Sequence, residues 1–191
     1  MLVLVVGPSG AGKDTLLGAA RAALADEPRV RFVRRAVTRR ASGPGADEAF
    51  LDEAKFRARR DANGFALWWQ AHGFFYGVPA GIERDLAGGR IVVASVSRGV
   101  LAEAAARFPV RVVEITAPPE ILARRLAARG REDAEGVAER LSRIIAIPEG
   151  IAVSAIVNDG TVEEGVRALV ALLREIVGGA ERRAAPQESE R

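Results

Sequence analysis

Seven residues near the N-terminus, Gly7-Pro8-Ser9-Gly10-Ala11-Gly12-Lys13, carry the spacing G-x-x-x-x-G-K. Glycines so placed let successive backbone N–H groups turn toward one phosphate. A helix that follows adds the partial positive charge of its N-terminus, and the lysine can bridge two phosphates of a chain. The apolar run Leu2–Val6 before the loop and the helical pattern from Lys13 to about Leu24 supply the context such a loop requires. The residue after the lysine is usually serine or threonine, but here it is Asp14, with Thr15 next. A bare carboxylate about 4 Å from a phosphate charge meets a repulsion of about 4 kcal/mol at an effective dielectric near ~20, and an intervening Mg²⁺ reverses that sign. Asp14 is therefore a candidate Mg²⁺ ligand, direct or through water. The alternative is that it serves the helix N-terminus while Thr15 or solvent meets the metal. The run Ile91–Val96 leads into Ser95-Val96-Ser97 without the carboxylate that would hold Mg²⁺ or activate water, which points away from an ATPase.

A second constellation is made of arginines. Arg125, Arg129, Arg131, Arg140 and Arg143 flank Gly130, and Arg125 and Arg129 share a helix face. Guanidinium groups closing over a transferring phosphoryl contribute about 10³–10⁵ in rate. With the phosphate loop in the same chain, the stretch Arg124–Arg143 reads as a mobile lid. A solvated helical hairpin neutralised by Glu132, Asp133, Glu135 and Glu139 is the alternative. Lys13, Arg125, Arg129 and Arg140 are the candidate catalytic residues. No carboxylate stands out as a general base. An alcohol acceptor would want one, whereas a phosphate oxygen is already anionic and needs only positioning and charge stabilisation.

The elements that must position these groups alternate. Leu2–Val6, Val30–Val37, Phe65–Ala71, Arg90–Val96, Pro109–Thr116 and Ile151–Val157 read as strands. Helical patterns follow Lys13, Asp52, Ile82, Leu101, Pro118-Pro119, Val137 and Val162. Such alternation predicts an α/β fold, a three-layer P-loop sandwich on a parallel sheet. Residues 1–177 form one domain, with Arg39–Gly89 an inserted acceptor-binding lobe and Gly178–Arg191 a loose charged tail. The chain's 191 residues contain no cysteine, which excludes disulfides and thiolate sites, and His72 is the sole histidine. The 28 basic residues include only two lysines, and the net charge is +3. An arginine excess suits a polyanionic ligand and equally a compositional bias. Nucleic acid is not an expected partner, because Arg29, Arg31, Arg34, Arg35, Arg39 and Arg40 lack stacking aromatics nearby. No apolar run approaches the roughly 20 residues of a membrane span, so a cytoplasmic protein is expected. Monomer and homodimer both stay open.

In chain order, the loop Gly7–Lys13, Val37-Thr38-Arg39, Tyr76-Gly77, Arg125-Leu126-Ala127-Ala128-Arg129-Gly130 with Arg140, and Ile156-Val157-Asn158-Asp159 resemble the guanylate kinase superfamily. The resemblance implies that Arg39 and Tyr76 hold the acceptor's phosphate, that Arg125, Arg129 and Arg140 serve the transferring phosphoryl, and that the neighbourhood of Asn158 lies near adenine. Guanylate kinases carry a glutamate where this chain has Leu67, aspartates at Ala94 and Val96, and a second phosphate-binding arginine at Ser42. An apolar side chain leaves guanine's polar edge unmatched.

Those departures, with Gly12-Lys13-Asp14, Trp69-x-x-His72-Gly73-x-x-Tyr76-Gly77 and Arg129-Gly130-Arg131-Glu132, are similar to the ribose 1,5-bisphosphate phosphokinases. That family resemblance implies conversion of ribose 1,5-bisphosphate to 5-phospho-α-D-ribose 1-diphosphate with Mg-ATP, linked to phosphonate breakdown. His72 then faces the sugar or a phosphate, or is a satisfied loop histidine. Gly45-Ala46-Asp47-Glu48-Ala49 departs from the Gly-Glu-x-His stretch expected after Arg39. Guanylate kinase itself and a non-catalytic interaction module are the competing readings. Asn158-Asp159-Gly160 in place of N-K-x-D speaks against a regulatory GTPase.

Overall fold

The computed structural model describes residues 1–39, 48–128 and 145–184, with side chains described as far as residue 180. Its elements, in chain order, are β1 (Leu2–Val6), α1 (Lys13–Ala23), β2 (Val30–Phe32), β3 (Arg35–Val37), β4 (Glu48–Phe50), α2 (Glu53–Asp61), β5 (Phe65–Ala71) and β6 (Phe74–Pro79). There follow α3 (Ile82–Ala87), β7 (Ile91–Ser95), α4 (Leu101–Arg107), β8 (Val110–Thr116), α5 (Pro119–Ala127), β9 (Ala152–Val157) and α6 (Val162–Ala184).

A five-stranded sheet has the order β2-β7-β1-β8-β9, and every pairing in it is parallel. β1 is central and all five of its residues are buried, which is why it reads as an unbroken apolar run. Its side chains alternate between two cores. Val3 and Val5 join Leu16, Leu17 and Ala20 of α1 and Leu169, Leu173 and Ile176 of α6. Leu2, Leu4 and Val6 join Leu101 and Ala104 of α4, Ile82 of α3, and Leu67 and Val78 of the neighbouring sheet. Pro119 opens α5 behind Pro118, as the two prolines predict.

A second, four-stranded sheet, β4-β3-β6-β5, is mixed. β3 pairs with β4 in parallel and with β6 antiparallel, and β5 and β6 form a hairpin. The hairpin turn is His72-Gly73, with φ of 51° and 75°. Two successive left-handed residues match the twist of the flanking strands. Under this sheet lies a small core in which Phe56 of α2 stacks on Phe65 and Phe75 at 4.5 and 5.5 Å.

Three expectations are corrected. The run Val30–Val37 is not one strand: β2 pairs with β7 in the first sheet, and after Val33 and Arg34 the chain enters the second sheet as β3. Both halves have strand-like composition, so local pattern cannot reveal a change of sheet. The strand β6 is absent from the expected elements, although Gly73 in a two-residue turn is its signal. The supposed tail is helical as far as Ala184. Gly178-Gly179 reads as a stop, but Val177 and Ala180 on either side pack against the main core, and tertiary burial overrides a propensity cost of about 1 kcal/mol per glycine. The expected helix around Val137 and Leu141 lies outside the described residues, as does most of the lid.

Candidate active site

The loop between β1 and α1 lies at the carboxyl end of the central strand, where the chain order of the parallel sheet reverses. This switch point is where open α/β sheets bind ligands. Gly7 has φ 149°, and a β-carbon there would stand 1.9 Å from the carbonyl oxygen of Ile115 on β8. Gly12, with φ 86°, is the N-cap of α1, and a β-carbon on it would lie 2.5 Å from Nδ2 of Asn158. Both glycines are therefore required by close approach as well as by conformation. Lys13 folds back over the loop, and its Nζ donates to the carbonyl oxygens of Gly7 at 2.7 Å and Pro8 at 2.8 Å. The ammonium is thus held across the span of the loop. Ser9 and Thr15 are exposed, and Pro8, Gly10 and Ala11 complete the turn.

Asn158, just beyond β9, is 4% exposed, and its Nδ2 donates to the Ala11 carbonyl at 2.8 Å. Its own carbonyl accepts from Nη1 of Arg125 on α5 at 3.0 Å. Asn158 thus binds the loop from behind and anchors Arg125. Arg129 and Arg140 lie outside the described residues, as do Arg131 and Arg143.

Asp14 sits in the first turn of α1 with a side chain 58% exposed, 3.5 Å from Nη2 of Arg35. Gly12 is the helix N-cap and makes no side-chain cap bond. A small cavity beside Asp14 is lined also by Leu17, Phe32, Val33, Arg35, Val93 and Ser95. The described residues contain no cluster of three or more acidic or histidine side chains. An exposed single carboxylate one residue past the phosphate-loop lysine still fits Mg²⁺. That ion commonly takes one or two protein oxygens and fills its octahedron with phosphate oxygens and water.

The residues expected to receive an acceptor gather on and beside β3. Arg35 and Arg39 both donate to Glu48, to Oε1 at 3.0 Å and to Oε2 at 3.2 Å respectively. Thr38 N donates to the Phe75 carbonyl, and Phe75 N donates to Thr38 Oγ1. This register sets the backbone of Arg39 beside the β5–β6 hairpin tip that carries exposed His72. Tyr76 faces Val37 across β3 and stacks on Trp69 of β5, with ring centroids 5.4 Å apart and planes within 7°. Trp69 packs against the main core, whereas Trp68 is 40% exposed beneath the Arg60 guanidinium. Leu67, where the resemblance sets a guanine-reading glutamate, is buried in the core, as are Ala94 and Val96.

Comparison with protein-family models gives no match. The chain is 52% identical over 176 residues to the ribose 1,5-bisphosphate phosphokinase PhnN of Methylobacterium radiotolerans, covering 91% of this chain and 97% of that one. Against the enzyme of the same name from Burkholderia mallei it is 48% identical over 175 residues, covering 90% and 94%. The chain belongs to the ribose 1,5-bisphosphate phosphokinase family. The fold of this family member is that of guanylate kinase: the crystal structure of guanylate kinase from Anaplasma phagocytophilum matches with a TM-score of 0.63 at 21% identity, over 92% of this chain and 85% of that one.

Two residues that shape the site escape a reading of the sequence. Arg35 is hidden inside a run that reads as one strand, and Glu48 lies in a stretch that reads only as a departure. No spacing rule links either to Asp14. Their signal is the parallel register of β3 and β4, which pairs Arg35 with Glu48.

Proposed function

We propose that this chain transfers the γ-phosphoryl group of Mg-ATP to the 1-phosphate of ribose 1,5-bisphosphate, forming 5-phospho-α-D-ribose 1-diphosphate and ADP. The observation that carries this reading is the engagement of both carboxylates described between the phosphate loop and the acceptor arginine. Asp14 faces Arg35, and Glu48 bridges Arg35 and Arg39. Neither is disposed as a general base, and a phosphate oxygen needs none. An acceptor-phosphate oxygen attacks the γ-phosphorus, the bond to the β,γ-bridging oxygen breaks, and ADP departs with that oxygen's electron pair. No proton has to move.

Loop amides from Gly7 to Lys13 hold the nucleotide phosphates, and Lys13 exchanges its carbonyl partners for phosphate oxygens. Arg125, with Arg129 and Arg140 of the lid, stabilises charge on the transferring group. Asp14, with Thr15 beside it, would hold Mg²⁺, which would supply charge neutralisation to the nucleotide phosphates. Arg39, Tyr76 and His72 receive the acceptor. Asn158 serves the nucleotide by holding the loop, and residues 39–89 act as the acceptor lobe beside a lid at 124–143. We place the reaction in the cytoplasm; among the described residues no helix is long and apolar enough to cross a membrane.

The test is ADP release with ribose 1,5-bisphosphate, ribose 5-phosphate or GMP offered in turn with Mg-ATP. Turnover with the bisphosphate and little with the others is expected. Comparable turnover with GMP would overturn the assignment, because buried Leu67 offers guanine no hydrogen bond.

A further inference from the structure

Glu48 is 5% exposed at its side chain and receives two guanidinium groups, one on each carboxylate oxygen. Arg35 is itself buried, with a side chain 10% exposed, and reaches past Glu48 to Asp14. Arg39 is different: a third of its side chain is exposed, and its Nε is buried with no hydrogen-bond partner among the described residues. Four charges thus run in line from the first turn of the phosphate-loop helix to the acceptor lobe, Asp14, Arg35, Glu48 and Arg39, with alternating sign.

A buried carboxylate bridging two cations is a poor device for stability alone, since its desolvation offsets most of the attraction. It is a good device for geometry, because a charge-assisted bond from Nη2 of Arg39 to a buried carboxylate oxygen restrains where that guanidinium sits. Without Glu48, two guanidiniums four residues apart on one strand and its extension would repel, and Arg39 would turn into solvent. We infer that Glu48 is the positioning residue for the acceptor: it holds Arg39 with its exposed edge toward the incoming phosphate, and through Arg35 it ties that edge to the phosphate loop. This rests on Arg39 as the acceptor-phosphate ligand. Glu48 touches neither substrate, and its effect runs entirely through Arg39.

The experiment compares Glu48→Gln, Glu48→Asp, Arg39→Ala and the double variant Glu48→Gln/Arg39→Ala in steady-state assays with ribose 1,5-bisphosphate and Mg-ATP. Both tryptophans of the chain lie on β5 in the acceptor lobe, so a fluorescence titration with ribose 1,5-bisphosphate without nucleotide reads acceptor binding independently of turnover. Glu48→Gln is expected to raise the acceptor KM and dissociation constant about tenfold while the ATP KM and kcat move less than about twofold. Glu48→Asp, which keeps the charge, should recover most of the affinity. In the Arg39→Ala background Glu48→Gln should add nothing further. Should Glu48→Gln fail to fold, Glu48→Asp is read in its place: a small rise confined to the acceptor KM supports the inference, and equal rises in both KM values overturn it.

An equal rise in both KM values, a loss that persists without Arg39, or an unchanged acceptor KM in Glu48→Gln overturns the inference. An Arg39→Ala variant that binds the acceptor as the parent does would overturn the acceptor assignment itself, and the inference with it. A weakened Arg39→Ala beside an unaffected Glu48→Gln overturns the inference alone.

Discussion

The two parts of the candidate site are held by different physics. The proposed nucleotide side is a backbone structure: a loop that presses on Ile115 through Gly7, is bonded by Asn158, and is spanned by Lys13. Its support is the fully buried central strand, with a core on each face. The proposed acceptor side leans on side chains: β3 and β4 are strands of three residues, a core of four buried residues adds to what β5 and β6 share with the main core, and an ion network sets the arginines. Rigid backbone hydrogen bonds suit a ligand group common to every nucleotide. Charged side chains on a smaller sheet suit a partner that must be selected and released, and such regions are drawn from the less stable part of a fold.

The largest expected effect tests whether the proposed acceptor lobe depends on the small core around Phe56. Phe56→Ala, which removes the ring between Phe65 and Phe75, should destabilise the lobe by about 3–5 kcal/mol. In denaturant titrations the tryptophan signal should then change well before the far-ultraviolet signal of the main sheet. Coincident transitions would mean that the two sheets unfold as one unit.

On the nucleotide side, Lys13→Ala should lower kcat about 10²–10³-fold, the range for losing one well-placed charge or hydrogen-bond donor in the transition state. Acceptor titration by tryptophan fluorescence should stay unchanged. An undiminished rate would remove the loop from the mechanism.

A third, smaller effect separates the sides again. Asn158→Ala leaves the Ala11 carbonyl without its buried donor and should cost about 1–3 kcal/mol of stability, with the ATP KM raised and the acceptor KM unmoved. A raised acceptor KM alone would contradict its place behind the loop. The smallest effect is a control within the lobe. Glu53 and Arg57 pair at 2.6 Å on α2, but both are about half exposed, so Glu53→Ala should change stability by no more than about 0.5 kcal/mol, read by thermal unfolding.

Much of the molecule is legible in the residues alone. Leu2–Val6, the glycine loop and Lys13 announce themselves because a buried parallel strand, a phosphate loop and a helix start are local patterns with a known order. The same holds for Pro118-Pro119 opening α5 and for the apolar stripe of α6. The candidate residues Lys13, Asp14, Arg39, Tyr76, Arg125 and Asn158 can all be named from motif and resemblance. What they touch cannot. The resemblance puts the Asn158 neighbourhood near adenine, but only the fold shows that its Nδ2 donates to a carbonyl 147 positions earlier in the chain.

Local residue patterns and their order along the chain determined the class of fold and the phosphate loop, and composition determined the absence of thiol chemistry. Tertiary structure alone decided that β2 and β3 belong to different sheets, that Glu48 stands opposite Arg35, and that Arg35 reaches Asp14. The reason is one of range. Periodicity records which face of an element is buried, whereas the partner of a buried charge is set by the register of strands distant in sequence, and no local pattern encodes that register.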